Sequence, residues 1–154
     1  MRLALFQPDI PQNLGAALRL GACLGVPIDV IEPCGFPLSD RAVRRAAMDY
    51  AARAEVVRHP GWADFVKLHR GRIVLFTTRG AQPFHEFDYR PDDILLFGRE
   101  SAGVPDEVHA AADARLFGPL VAGARSLNVV TAAAMALGES LRRTHGFPTA
   151  AGKG

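Results

Sequence analysis

Ile94-Leu95-Leu96-Phe97-Gly98-Arg99-Glu100-Ser101-Ala102-Gly103-Val104-Pro105 is the stretch on which the reading of this chain turns. An apolar, strand-like run stops abruptly in a polar loop bracketed by Gly98 and Gly103. In a parallel sheet, the loops at the carboxyl ends of the strands converge on one crevice, and glycines there let backbone amides approach a ligand closely. The stretch therefore predicts a ligand site. Its letters exclude three common ligands. A phosphate-cradling loop requires Lys and then Ser or Thr after the second glycine, where this chain has Val104 and Pro105, and Glu100 would oppose the phosphates. A nucleophile elbow needs glycines two residues on either side of the serine, but Arg99 precedes Ser101 at that distance. A dinucleotide fingerprint follows the first strand, whereas this loop comes late.

Outward from that loop, apolar runs bounded by turn residues recur at 3–6, 26–31, 55–57, 73–77 and, more weakly, 114–117. Helical segments lie between them. Asn13 is placed to cap a helix running through Leu24 and stopped by Gly25, and Ser39 or Asp40 to cap another through Met48. Shorter helices are predicted over 62–68 and 105–112, and a long alanine-rich one from about Ser126 to Arg143. Strands alternating with helices imply an α/β domain with a mainly parallel sheet. One domain over 1–145 is expected, followed by a loose tail over 146–154.

Composition sits where soluble globular proteins sit. Of 154 residues, 49% are hydrophobic and 22% charged, and no apolar run approaches the ~20 residues of a membrane span. The run at 3–6 is cut short by Gln7-Pro8-Asp9 and reads as a first strand, not a targeting signal. Cys23 and Cys34 lack metal-ligand spacing and are expected as reduced cytoplasmic thiols. His59, His69, His85, His109 and His145 are scattered, so no metal site is expected. The formal charge of +2 is modest, but residues 41–72 carry eight basic side chains against three acidic ones. Arg41, Arg44 and Arg45 share one helical face, either a solvated surface or a track for phosphates.

Two further segments sharpen the reading. Pro11-Gln12-Asn13-Leu14-Gly15-Ala16-Ala17-Leu18-Arg19 opens the first helix, and Arg125-Ser126-Leu127-Asn128 opens the last. Taken singly, these residues read as caps, a surface charge and a first-turn filler. Together with the Gly98 loop between them, in this order and spacing, they resemble the three motifs of the SPOUT class of RNA methyltransferases. Glu32-Pro33-Cys34-Gly35-Phe36 and Arg45-Ala46-Ala47-Met48-Asp49-Tyr50 extend the likeness to its small single-domain tRNA 2'-O-methyltransferases, which act on cytidine or modified uridine at wobble position 34 of tRNA.

The resemblance implies a C-terminal deep trefoil knot, a homodimer joined through the first and last helices, and S-adenosylmethionine as methyl donor, with S-adenosylhomocysteine as product and no metal. It implies a donor pocket at Phe76, Thr77, Gly98, Glu100, Gly118, Leu120 and Ser126. The residues it nominates for transfer are Arg19, Asn13, Glu100, Ser126 and Asn128, in an active site completed by both subunits. Arg19, Arg41, Arg44 and Arg45 would bind RNA. A guanidinium scarcely deprotonates, so Arg19 is better suited to orienting a phosphate or stabilising a developing alkoxide than to removing a proton. The work of Glu100 stays open between acting near the reacting centre and pairing with Arg99 or Arg125 to hold the loop. Gly118, Val130 and Gly138 stand where the subfamily more often has isoleucine, serine and tyrosine, which withdraws any role from those side chains. Two alternatives stay open: the same class acting on another RNA or on a base, and a catalytically silent RNA-binding module.

Overall fold

The computed structural model describes residues 1–50 and 52–149; the side chain of Asp49 and the remainder of the expected tail lie outside the described residues. The strands are β1 (Arg2–Phe6), β2 (Ile28–Ile31), β3 (Val56–His59), β4 (Ile73–Phe76), β5 (Gln82–Pro83), β6 (Ile94–Phe97) and β7 (Ala114–Phe117). The helices are α1 (Pro11–Leu24), α2 (Asp40–Ala47), α3 (Trp62–Leu68), α4 (Asp106–Ala111) and α5 (Val129–Arg143). All six strand pairings are parallel, in the order β3-β2-β1-β6-β4-β7-β5.

Alternation along each central strand divides the core into two layers. Leu3 and Leu5 of β1, with Leu95 and Phe97 of β6, face α1 and α5 through Leu14, Leu18, Ala133 and Leu137. Ala4 and Phe6, with Ile94 and Leu96, face α3 and α4 through Phe65 and Val108. Strands buried on both faces explain why the run at Ile94–Phe97 shows no polar alternate. The small residues of α1 and α5 serve this core: Ala17, Ala133 and Ala136 are fully buried within the single chain, and a side chain at Gly21 would meet Ile28 at 2.6 Å. No helix among the described residues is long and apolar enough to cross a membrane.

Several boundaries move, each for a local reason. Ile10, not Asn13, is the N-cap of α1, and Pro11 follows it at a position where a missing N–H costs nothing. That leaves the Asn13 side chain available for tertiary contacts. α5 begins three residues after Ser126, because Asn128 caps it by accepting from the amides of Val130 (2.9 Å) and Thr131 (3.3 Å). β2 starts after Pro27, and β3 runs on to His59 in register with Ile31. α2 stops at Ala47 because Met48 turns to φ 48°. The two-residue strand β5 has too little pattern to be read from the sequence.

Candidate active site

Strand order gathers the expected site. β6, β4 and β7 are neighbours, so the segments that follow them, starting at Gly98, Thr77 and Gly118, leave the same edge of the sheet. β1 lies on the other side of β6 and adds Gln7 to Ile10 to that edge. Gly98 and Gly103 close the central loop on itself, with Arg99 and Gly103 exchanging backbone hydrogen bonds at 3.0 and 2.9 Å. A Cβ on Gly98 would come within 2.5 Å of Gly103, and Gly103 itself holds φ 64°. Both glycines are required by this close turn.

A chain of directional hydrogen bonds crosses the crevice. The cap contacts fix the Asn128 amide, because its oxygen is already committed to Val130 and Thr131. Its Nδ2 therefore donates to Asn13 Oδ1 at 3.0 Å, which turns Asn13 Nδ2 toward Glu100 Oε1 at 2.9 Å. The other oxygen of Glu100 accepts from the backbone N–H of Asp9 at 3.0 Å. Glu100 thus accepts on both oxygens, as a carboxylate does and an amide does not. Asp9 reciprocates by accepting from the Glu100 amide at 3.2 Å and from the Ser101 hydroxyl. These contacts with Glu100, then Ser101, hold the Asp9 carboxyl at about 2, below its ordinary 3.8. Beside this chain lies a crevice of about 10 Å³ lined by Asn13, Leu14, Gly98, Glu100 and Val130 among others, room for about one water.

The remaining residues fall as follows. Phe76 stacks on Phe97, ring centres 4.7 Å apart, at the ends of β4 and β6. Thr77 is tied to β7 through Leu116 O at 2.9 Å and accepts from the Arg79 amide at 3.2 Å. Gly118, Leu120 and Ser126 belong to a segment exposed throughout 118–128. Arg41, Arg44 and Arg45 stand exposed on α2. Arg19 does not join the Asn13–Glu100 chain: six residues of helix turn it about 240° from Asn13, and its guanidinium lies 5.0 Å from the Tyr50 ring centre. Arg99 does not pair with Glu100; it donates to Gln7 and lies 5.6 Å from the Phe6 ring centre. Gln7 holds φ 47°, an uncommon conformation for a residue with a side chain, at the head of this crevice.

Sequence reasoning missed Asp9, Gln7 and Tyr50. The crevice rule applied to the loop after β1 would have found the first two, had the adjacency of β1 and β6 been known. It also missed that two of the five histidines converge. His59 Nε2 and His69 Nε2 meet Asp29 Oδ1 at 2.8 and 3.1 Å, on a carboxylate that Arg2 also grips at 2.7 Å. Their ligand atoms lie within 4.8 Å of one another, so the histidines are not scattered as expected. Burial raises the Asp29 carboxyl, but Arg2 and then His59 outweigh it, and the net displacement is downward. Arg2 already balances the buried charge, so the cluster works as a pin joining β1, β2, β3 and the end of α3. Both cysteines are free thiols; burial pushes Cys34 up to about 11.

Comparison with known proteins agrees with this geometry. The model of the SpoU rRNA Methylase family matches residues 1–138. The chain belongs to that family. Among SpoU-family relatives, a tRNA (cytidine(34)-2'-O)-methyltransferase of Beijerinckia indica subsp. indica is 58% identical over 144 residues, covering 92% of this chain and 90% of its own. One of the same name from Ancylobacter novellus is 51% identical over 150 residues, covering 96% and 95%. A structure solved to explain 2-OH methylation of C/U34 on tRNA superposes with a TM-score of 0.86 at 38% identity, covering 92% of this chain and 94% of that one. An AdoMet-bound rRNA methyltransferase from Sinorhizobium meliloti superposes at 0.80 with 28% identity, covering 92% of this chain and 55% of the other. The α/β fold with its parallel sheet is that of SPOUT methyltransferases.

Proposed function

We propose that the protein is a homodimeric, S-adenosylmethionine-dependent tRNA methyltransferase that transfers a methyl group to the ribose 2'-hydroxyl of cytidine or modified uridine at position 34, in the cytoplasm. The observation that carries the proposal is the Asn128–Asn13–Glu100–Asp9 chain, built from residues of all three motifs at one edge of a parallel sheet. The extensive identity to relatives of that activity supports it.

The donor loops fit a nucleoside ligand. Gly98 allows backbone to pack on backbone, Phe76 stacks on Phe97 just before the loops leave β4 and β6, and Leu120 keeps an apolar side chain 39% exposed. Bound there, S-adenosylmethionine supplies a methyl carbon activated by positive sulfur, and S-adenosylhomocysteine is the product. Phe76, Thr77, Gly98, Gly118, Leu120 and Ser126 would line this ligand, the chain threading through them as a trefoil knot. No metal takes part in this reading.

Methyl transfer requires the attacking oxygen to be aligned and its proton removed. Asn13 and Asn128 are held by their hydrogen bonds and orient groups around the ribose. Glu100, both oxygens engaged, stabilises the loop and places negative charge beside the site. Arg19 points away from its own protomer's chain, which suits a dimer in which it serves the partner's site, binding phosphate and stabilising the developing alkoxide. Arg41, Arg44 and Arg45 then follow the RNA backbone. The test is transfer of labelled methyl to unfractionated tRNA with mapping of the modified nucleoside, beside Arg19→Ala. Methylation of a base, or normal turnover by Arg19→Ala, overturns the corresponding part.

A further inference from the structure

Arg19 is exposed on α1, yet its guanidinium carbon lies 5.0 Å from the centre of the Tyr50 ring. A long, solvated arginine visits many directions unless something narrows them, and a ring face does so through its negative quadrupole. Tyr50 is a fixed platform. Its carbonyl accepts from the amides of Arg53 and Ala54, each at 2.9 Å, and the single helical turn Met48–Tyr50 packs against α1. The turn is aimed by Met48, whose φ of 48° and ψ of −130° suit glycine better than a residue with a side chain. Such conformations persist where surrounding structure dictates them, and they gather at functional positions.

We infer that Tyr50 is a positioning residue for methyl transfer, its ring holding the Arg19 guanidinium in the direction from which it meets the substrate. The inference rests on the role given to Arg19 above. Tyr50 touches neither donor nor ribose in this account; it acts through Arg19 alone.

The test compares Tyr50→Phe, Tyr50→Leu and pentafluorophenylalanine at position 50 in the full chain, each alone and with Arg19→Ala. Readouts are kcat and KM for tRNA, donor affinity by calorimetry, and the melting temperature. Tyr50→Phe keeps the ring face and is expected within about twofold of wild-type kcat. Tyr50→Leu lowers kcat roughly 3- to 10-fold, the scale of a cation–π contact at a partly exposed site, with donor affinity unchanged. The fluorinated ring keeps the shape but loses the negative face, and shows the same fall even where Tyr50→Leu melts early. In the Arg19→Ala background these changes add nothing further. Wild-type kcat for the fluorinated variant, or equal losses in both backgrounds, overturns the inference while the Arg19 assignment stands. Normal turnover by Arg19→Ala removes both.

Discussion

Glu100→Gln is the sharpest perturbation of this site because it changes one atom and breaks a directional rule. Both carboxylate oxygens accept, one from Asn13 Nδ2 at 2.9 Å and one from the Asp9 amide at 3.0 Å. An amide offers one acceptor, so its NH2 must face a donor in either orientation. Asn13 cannot turn to relieve the conflict, since Asn128 donates to its oxygen and is itself locked by the cap of α5. A hydrogen bond to a charged group contributes about 1.5–3 kcal/mol. Partial exposure screens this to about 1–2 kcal/mol. In a chain of this size that loss lowers the melting temperature by about 2–8 °C. Displacement of the loop from Asn13 should also slow methyl transfer about tenfold, the effect of 1.4 kcal/mol on a barrier. Differential scanning calorimetry and single-turnover transfer measure both, with Glu100→Ala alongside. An isosteric glutamine that melts and turns over like wild type would refute the directional chain.

Other perturbations test separate parts. Gly98→Ala places a Cβ 2.5 Å from Gly103, so donor affinity measured by calorimetry should drop severely while the core strands stay intact; unchanged affinity would remove Gly98 from the pocket. The Asp9 carboxyl is held at about 2 against an ordinary 3.8, so its clamp on the loop is complete above that ordinary value and is lost as the pH falls toward 2. Asp9→Asn should flatten acid unfolding in that window, and an unaltered acid profile would argue against the clamp. Replacing Arg41, Arg44 and Arg45 together by glutamine should raise KM for tRNA without altering donor binding. The salt dependence of log affinity should fall by about 2–3, the contribution of three phosphate contacts, and an unchanged slope would return the patch to a solvated face.

Much of this was legible along the chain. The run at 94–97 ending in Gly98 marked a strand and the tight loop after it, because burial on both faces selects continuous apolar letters and a tight turn selects glycine. The arginine face of α2 was legible for the same reason: helical periodicity is local. Asn13 was recognised as a motif residue but misread as a cap, since its side chain suits that position and Ile10, which caps α1 without a side-chain hydrogen bond, carries no capping letter. Asp9 and Glu100 are 91 residues apart, and Asn13 and Asn128 are 115 apart. Their meeting depends on β1 lying beside β6, which no local period encodes. His59 and His69 likewise look unrelated until β2 and β3 pair and the end of α3 returns over Asp29. The sequence by itself determined most of the elements and the crevice loops, through periodicity and turn residues, and its resemblance to a known family supplied the class of chemistry. Only the tertiary structure decided which side chains meet in that crevice, because strand order sets those distances, and it left Arg19 facing outward over Tyr50.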